Sequence, residues 1–380
     1  MVQLNHIAKL DYLRGVAILS VFLYHSLGAS FGHCQFPWNG LWRDFTTSRS
    51  FYPFYPLTLG SLGVSLFFVI SGFCIHLSFL TSREKGFYAF FVRRFFRIYP
   101  TYIVVLAATL VLRQLQNALG VTSDLDVSYQ NIISHAILCH NFTTDYFFGI
   151  NPSLWSIAVE MQLYALYPIL FLLLKYLGSW DRVVCFTVIL EVVLRAIMAY
   201  DSLQGSSSEI QRLVQWPFTY WGSWALGTKV AQDMFMKTSP STDSNIFDSK
   251  WISYFLILSV VLCDWFRPAS YFQFLFFAML AYLWLRKLVW NNALDKTSQD
   301  KASWLTKAVS LMGVVSYSFY LIHQPILDFL WLLPGHPVYR LSLAVVLLPV
   351  VVAISYFTYK AIELPTNAWG KNYTRPKRPL

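Results

Sequence analysis

Long apolar runs separated by short polar breaks make up most of this 380-residue chain. A helix needs about 20 apolar residues to cross a hydrocarbon core about 30 Å thick, and most of the runs are near that length. The pattern predicts an all-α fold, a polytopic membrane helix bundle with about ten transmembrane helices. The predicted spans lie near 13–31, 61–81, 98–116, 153–174, 183–200, 213–231, 251–266, 269–285, 308–330 and 341–360. A weaker run at 127–145 is broken by two histidines and an asparagine, so we expect that it does not cross.

Composition supports a membrane protein, because 56% of the residues are hydrophobic and only 13% are charged. Soluble domains carry about 25% charged residues. The net charge of +10 could indicate a nucleic-acid partner, but the cations cluster between the apolar runs, where topology signals are found. With a cytoplasmic N-terminus, 22 of the 29 Lys and Arg residues fall on the cytoplasmic side. The sequence therefore predicts that both termini are cytoplasmic, and we expect no nucleic-acid partner.

The polar segments are too short to form a separate water-soluble domain. We expect one transmembrane domain over residues 1–371, followed by a basic, disordered cytoplasmic tail over residues 372–380. The five cysteines show no CxxC or other metal-ligand spacing, so we expect no metal. The sequence does not determine the oligomeric state.

The first apolar run carries two ionisable residues, Arg14 and His25. Eleven helical steps of about 100° return to nearly the same face, and the two residues lie roughly 16 Å apart along the axis. If Arg14 lies at one membrane surface, His25 lies near the midplane, where an ionisable residue is costly and is by default interpreted as functional. The alternative is a neutral packing histidine that is hydrogen-bonded to a nearby serine or carbonyl.

Three further candidates follow along the chain. Arg94 and Arg97 are neighbours on one helix face at a cytoplasmic end, where arginine forks could bind phosphate or merely contact lipid headgroups. Glu160 lies roughly 10–14 Å inside its span, so it must be paired or protonated, in a functional or a structural role. His323 lies within a later span, with Tyr320 on its face, and could equally be a packing histidine.

Together these positions favour a membrane site with a histidine base and a phosphate clamp. Such a site suits acyl transfer from a thioester whose cofactor phosphates are held by arginines. A proton-coupled transporter would also place histidine and glutamate at mid-membrane, so both alternatives stay open at this point.

Six segments resemble, in family order, the membrane-bound acyltransferase-3 family of bacterial O-acyltransferases, and the resemblance covers most of the chain. They are LDYLRGVAILSVFLYHS, GVSLFFVISGFCI, RRFFRIYP, SLWSIAVEMQLYALYP, SYSFYLIHQP and YKAIELP. The resemblance is carried by Arg14, His25, Arg94, Arg97, Ser153, Trp155, Ser156, Glu160, His323, Glu363 and Pro365. Two positions depart from the family pattern: Ser65 stands where many members have Asp, and Met161 stands where a second Glu is common. Many relatives carry a fused extracytoplasmic domain, which we do not expect here.

The resemblance implies transfer of an acyl group, most simply acetyl, from cytoplasmic acyl-CoA to a hydroxyl of a cell-surface glycan or glycolipid, such as lipopolysaccharide O-antigen or exopolysaccharide. His25 and Glu160 would be catalytic, with His25 as general base, although a covalent acyl-histidine is a second possible route. The cofactor-binding residues would be Arg14, Arg94 and Arg97.

Supporting or substrate-contacting roles would fall to Trp155, Ser156, Tyr320 and His323. The expected location is the cell inner membrane, with membrane lipids, acyl-CoA and the acceptor as partners. The alternatives are a proton-coupled transporter and O-acylation of a small molecule such as a macrolide.

Overall fold

The structure is a computed structural model that describes residues 8–47, 49–82, 86–118, 128–205, 212–236, 250–294 and 303–375. These residues are almost entirely helical, with one short antiparallel hairpin, β1 (Trp38–Asn39) and β2 (Trp42–Arg43). The helices of eight or more residues are α1 (Ala8–Phe31), α2 (Gly63–Thr81), α3 (Phe87–Ala118), α4 (Tyr129–Ala136), α5 (Trp155–Leu177), α6 (Trp180–Leu203), α7 (Trp221–Met236), α8 (Lys250–Cys263), α9 (Gln273–Leu294), α10 (Trp304–Val314), α11 (Ser316–Leu327), α12 (Pro337–Thr358) and α13 (Leu364–Tyr373).

Apolar helices of spanning length confirm the all-α membrane class. Seven segments of the described residues are long and apolar enough to cross a membrane, or eight if the broken pair Trp304–Val314 and Ser316–Leu330 is one span. The other two predicted spans correspond to α7 and α8, which have 16 and 14 residues. The count of ten and the positions of the termini therefore stay predictions.

Two segments are predicted not to cross the membrane, the weak run and the C-terminal tail. The weak run at 127–145 contains the eight-residue α4 and short helical turns, so no long helix forms there among its described residues. The domain boundary predicted after residue 371 falls inside α13, which ends at Tyr373. Residues 376–380 of the predicted tail lie outside the described residues.

The described residues divide into two compact units. The first comprises described residues of Met1–Val21, Gln35–Thr81 and Leu166–Gly313. The second comprises those of Phe22–Cys34, Ser82–Ala165 and Val314–Leu380. Helices α1 and α5 each contribute one part to the first unit and one part to the second.

Within the first unit, α2 and α7 cross in direct backbone contact. A Cβ atom added at Gly72 would lie 2.0 Å from the Trp224 carbonyl oxygen, and one added at Gly227 would lie 1.9 Å from the Val69 carbonyl oxygen. Small residues permit such close approach between membrane helices. The crossing explains why a glycine stands in each helix at this contact.

We predict that Gly227→Ala destabilises the protein, by about 1–3 kcal/mol, the usual cost of overpacking. The new methyl group would meet a backbone carbonyl, which cannot rotate away as a side chain can. Thermal unfolding of detergent-purified protein measures the effect. Gly86→Ala is the matched control, because no atom lies within 4 Å of a Cβ at that position. Equal melting temperatures for the two variants would contradict the packing role.

Candidate active site

A ladder of polar contacts joins α5 to α11 in the second unit. The Ser153 hydroxyl, just before α5, bonds to Gln324, and the Ser156 and Tyr320 hydroxyls lie 2.7 Å apart. The Asn151 side-chain amide donates to the Leu321 carbonyl oxygen at 3.0 Å. Asn151 and Ser153 lie just before α5 and Ser156 lies in its first turn, so these contacts hold the start of α5 against residues 320–324 of α11.

A histidine pair lies beside this ladder. The ring centroids of His25, on α1, and His323, on α11, are 5.2 Å apart, and the Tyr320 ring centroid is 5.5 Å from that of His323. His25 is half-buried, whereas His323 has no exposed surface. The structure thus brings together two histidines that are almost 300 positions apart in the chain.

The hydrogen bond of His323 determines which of its ring nitrogens can accept a proton. Its Nδ1 lies 2.7 Å from the Tyr320 carbonyl oxygen. A carbonyl oxygen only accepts, so Nδ1 carries the hydrogen and Nε2 of the neutral ring has a free lone pair. This buried Nε2 has no hydrogen-bond partner among the described residues. The arrangement therefore presents a buried proton acceptor next to His25.

Glu160 lies on the same face of α5, four residues after Ser156. It accepts a short hydrogen bond from the Tyr164 hydroxyl, and it lies close enough to Tyr317 and Tyr320 to interact with them electrostatically. The carboxylate predicted from the sequence is thus part of the ladder, surrounded by tyrosines.

The predicted arginines lie on separate helices. Arg94 is buried on α3 with its guanidinium 5.8 Å from the centre of the Phe90 ring, and Arg97 is half-buried one turn further along. One turn after Arg94, the Ile98 carbonyl accepts a hydrogen bond of 2.8 Å from Tyr317, which ties α3 to α11.

Arg14 belongs to the first unit. Its guanidinium donates to Asp11 at 3.4 Å and to the Cys74 sulfur at 3.2 Å. These contacts hold the side chain against α1 and α2. A clamp made jointly by Arg14 and the two arginines of α3 stays a prediction.

A comparison with protein families decides the classification of the chain. The family model for the acyltransferase-3 group, described as an acyltransferase domain, matches residues 7–360. The chain belongs to the acyltransferase-3 family.

Several curated relatives are similar over part of their length. A predicted O-acetyltransferase of Staphylococcus aureus is 28% identical over 178 residues, covering 44% of this chain and 25% of the relative. The peptidoglycan O-acetyltransferase OatA of Listeria monocytogenes is 26% identical over 178 residues, covering 43% of this chain and 24% of the relative. Nodulation protein 10 of Rhizobium leguminosarum is 27% identical over 190 residues, covering 47% of each chain. The chain thus matches about a quarter to a half of the length of these relatives, and no solved structure matches it.

In this acyltransferase-3 domain, the structure brings His25, Ser156, Glu160, Tyr320 and His323 into one polar cluster. Trp155, also predicted, is half-buried at the start of α5, where its ring packs 5.6 Å from that of Phe147.

Three residues of the cluster were missed by the sequence analysis: Tyr164, Tyr317 and Gln324. Tyr164 follows Glu160 by four positions, and Tyr317 precedes Tyr320 by three, so helical spacing could have indicated the first two. No local signal connects Gln324 to Ser153.

Another buried histidine of the acyltransferase-3 domain is fully hydrogen-bonded. His76, on α2 in the first unit, lies 2.8 Å from the Tyr167 hydroxyl and 2.9 Å from the Gln232 side-chain oxygen. Its ring stacks on Trp180 with centroids 4.3 Å apart. Because both ring nitrogens have partners, we interpret His76 as structural.

A second pair of histidines stacks outside the candidate spans. The rings of His135, on α4, and His140 are nearly parallel, with centroids 3.9 Å apart, and neither residue has exposed surface. Burial lowers the pKa of His135 to about 4, and burial together with the charge of His135 lowers the pKa of His140 to about 2. Both rings are therefore neutral at ordinary pH.

We predict that acid destabilises the protein partly through this stacked pair. Histidine in an unfolded chain has a pKa of about 6.5. Below that pH the unfolded chain binds protons at both positions, whereas the buried pair in the folded protein stays neutral. The contribution of the pair to the free energy of unfolding is fully present above about pH 6.5 and is lost as the pH falls towards the pKa values of the folded protein. His140→Phe keeps a stacked ring and removes one titrating group, so its melting temperature should fall less steeply than that of wild type between pH 6.5 and pH 4. Identical slopes would contradict this assignment.

Proposed function

We propose that this protein is an integral membrane O-acetyltransferase of the cell inner membrane. It moves an acetyl group from acetyl-CoA to a hydroxyl of a cell-surface glycan or glycolipid, such as lipopolysaccharide O-antigen or exopolysaccharide. Membership of the acyltransferase-3 family supports the reaction class. Two of the relatives are named as O-acetyltransferases, which supports acetyl as the group that is moved.

One observation carries the proposal: the free lone pair on buried Nε2 of His323, beside the ring of His25. A buried acceptor without a partner is costly unless a bound molecule supplies a donor. A glycan acceptor carries several hydroxyls, so one of them can donate to His323 while a neighbouring one, the nucleophile that acetyl transfer requires, faces His25.

The proposed reaction is direct transfer with general-base catalysis. His25 takes the proton of the acceptor hydroxyl as its oxygen attacks the thioester carbonyl carbon. The carbon–sulfur bond of the tetrahedral intermediate then breaks, and the CoA sulfur leaves with a proton returned by the imidazolium. The products are the acetyl ester and CoA with a free thiol, so atoms and charge balance.

The remaining residues orient the groups and hold the donor. Glu160 would orient the histidine pair or the acceptor through the tyrosines around it, and would offset the positive charge of the imidazolium. Arg94 and Arg97 would bind CoA phosphates through bidentate guanidinium contacts, and we propose a phosphate-binding role for Arg14 as well.

The carbonyl oxygen gains negative charge in the transition state and needs a hydrogen-bond donor. The Tyr320 ring lies 5.5 Å from the His323 ring, and the Tyr320 hydroxyl accepts a hydrogen bond from Ser156, which leaves its own hydrogen to donate. We propose that the Tyr320 hydroxyl faces this oxygen.

We predict that His25→Ala lowers acceptor-dependent release of CoA thiol by at least about 10²-fold, the range of general-base catalysis. The measurement uses purified protein in detergent with acetyl-CoA and a glycan extract. His336→Asn is a matched control, because it removes an imidazole at the start of α12 while an asparagine can still cap the helix.

A parallel His323→Ala variant tests the assignment of the base. If His323→Ala abolishes thiol release and His25→Ala does not, the base is His323. Normal turnover by both variants would contradict a histidine mechanism. The transporter hypothesis would be favoured by a third result. In that case the wild-type protein neither binds acetyl-CoA nor releases thiol, but transports solute in liposomes.

We predict that Tyr320→Phe lowers kcat by about 10²-fold while leaving the KM for acetyl-CoA near its wild-type value. The change removes one hydroxyl and keeps the ring, so an interaction made only in the transition state is lost. Tyr339→Phe, at an exposed tyrosine on α12, is the matched control. An unchanged kcat for Tyr320→Phe would exclude this residue as the oxyanion donor.

A further inference from the structure

A strongly basic patch forms where α13 packs against α3 in the second unit. A Cβ atom added at Gly370 would lie 2.7 Å from the Phe96 Cβ and 3.5 Å from the Arg93 Cα, so the two helices are in close contact. One turn later, Arg93 donates to the Thr374 hydroxyl at 3.4 Å. These contacts fix the end of α13 against the arginine-rich turn of α3.

The packing brings the cations of α13 to those of α3. Lys371 follows Gly370 directly, and it interacts electrostatically with Arg94, Arg97 and Arg375. Lys371 and Arg375 are exposed, whereas Arg94 is buried and Arg97 half-buried. Lys371 thus lies within electrostatic range of three other cations, two of them on α3.

The sequence of the two helices supplies no carboxylate to this patch. Residues 86–118 and 364–380 contain no Asp or Glu. The nearest acidic residue before α13, Glu363, accepts a hydrogen bond of 2.8 Å from the Ser318 hydroxyl. Arg94, Arg97 and Arg375 repel the charge of Lys371, and a bound anion with several negative charges would relieve that repulsion.

We propose that Lys371 and Arg375 extend the arginine pair Arg94 and Arg97 into a site for the phosphates of acetyl-CoA. The proposal rests on the proposed function. The planar guanidinium groups of α3 suit the pyrophosphate, where bidentate bonds give orientation. The exposed Lys371 and Arg375 suit the ribose 3′-phosphate, which carries up to two charges and needs no fixed geometry from an ammonium. The last helix of the domain thereby becomes part of the donor site.

The decisive experiment compares acetyl-CoA with 3′-dephospho-acetyl-CoA. For wild type, we expect the dephospho donor to have a KM about tenfold higher, with kcat unchanged. For the double variant Lys371→Gln/Arg375→Gln, we expect the KM for acetyl-CoA to rise by about the same factor, with no further rise for the dephospho donor. Lys250→Gln, an exposed lysine in the first unit, is the matched control and should behave as wild type.

Two outcomes would overturn the proposal. A double variant that keeps the wild-type ratio of KM values shows that these cations do not contact the 3′-phosphate. The second outcome is a double variant that has normal acetyl-CoA kinetics but retains less anionic phospholipid in nanodiscs of phosphatidylglycerol and phosphatidylcholine. That result shows that the patch binds lipid phosphate.

Binding measurements separate failure of this proposal from failure of the proposed function. Calorimetry with CoA requires no acceptor and no turnover, and it should show about tenfold weaker binding for the double variant. If wild type binds CoA and the double variant binds equally well, only the patch assignment is wrong. If wild type does not bind CoA at all, both are wrong.

Discussion

The polar ladder between the start of α5 and α11 is the constraint on which the candidate site depends. In a hydrocarbon environment a polar side chain without a partner is costly, so each hydrogen bond of the ladder favours one register of the two segments. The bond between Ser156 and Tyr320 and the bond between Ser153 and Gln324 are lost together if either helix slips by one residue. The ladder therefore determines where Tyr320 and, one turn beyond it, His323 are presented.

Saturation of hydrogen bonds distinguishes structural polar clusters from the candidate site. In the first unit, the buried carboxylate of Glu191 accepts from Arg195 at 2.7 and 2.9 Å, and from the backbone and side chain of Ser223 at 2.7 and 2.8 Å. Two further guanidinium hydrogens of Arg195 reach the carbonyls of Thr219 and Tyr271. A cluster with every group satisfied holds helices together and offers nothing to a ligand. Nε2 of His323 differs, because its lone pair remains available.

The sequence predicts the helices well because spanning length and apolar composition are local properties, visible in any window of about 20 residues. It also indicates which side chains are chemically notable, since a charged residue inside an apolar run is conspicuous. It does not distinguish Glu160 from Glu191, although one lies in the ladder and the other in a saturated ion pair. That distinction depends on partners that lie on other helices, and nothing near a residue in the chain specifies them. For the same reason the pairing of Ser153 with Gln324 could not be predicted.

The histidine pair has to change charge in surroundings that disfavour charge. In buried surroundings the neutral imidazole is the stable form, and only the neutral form can take a proton. Burial therefore favours the form of the base that the reaction requires. The same burial raises the free energy of the imidazolium that forms during the reaction. A nearby carboxylate lowers that cost, and Glu160 is coupled to Tyr320, whose carbonyl holds Nδ1 of His323. The Tyr320 carbonyl thus fixes the tautomer of His323, and the charge of Glu160 would lower the free energy of an imidazolium in the histidine pair. A direct ion pair with a carboxylate would raise the pKa of the base and favour its protonation before the acceptor arrives, so a carboxylate that acts through an intervening tyrosine suits a histidine base better.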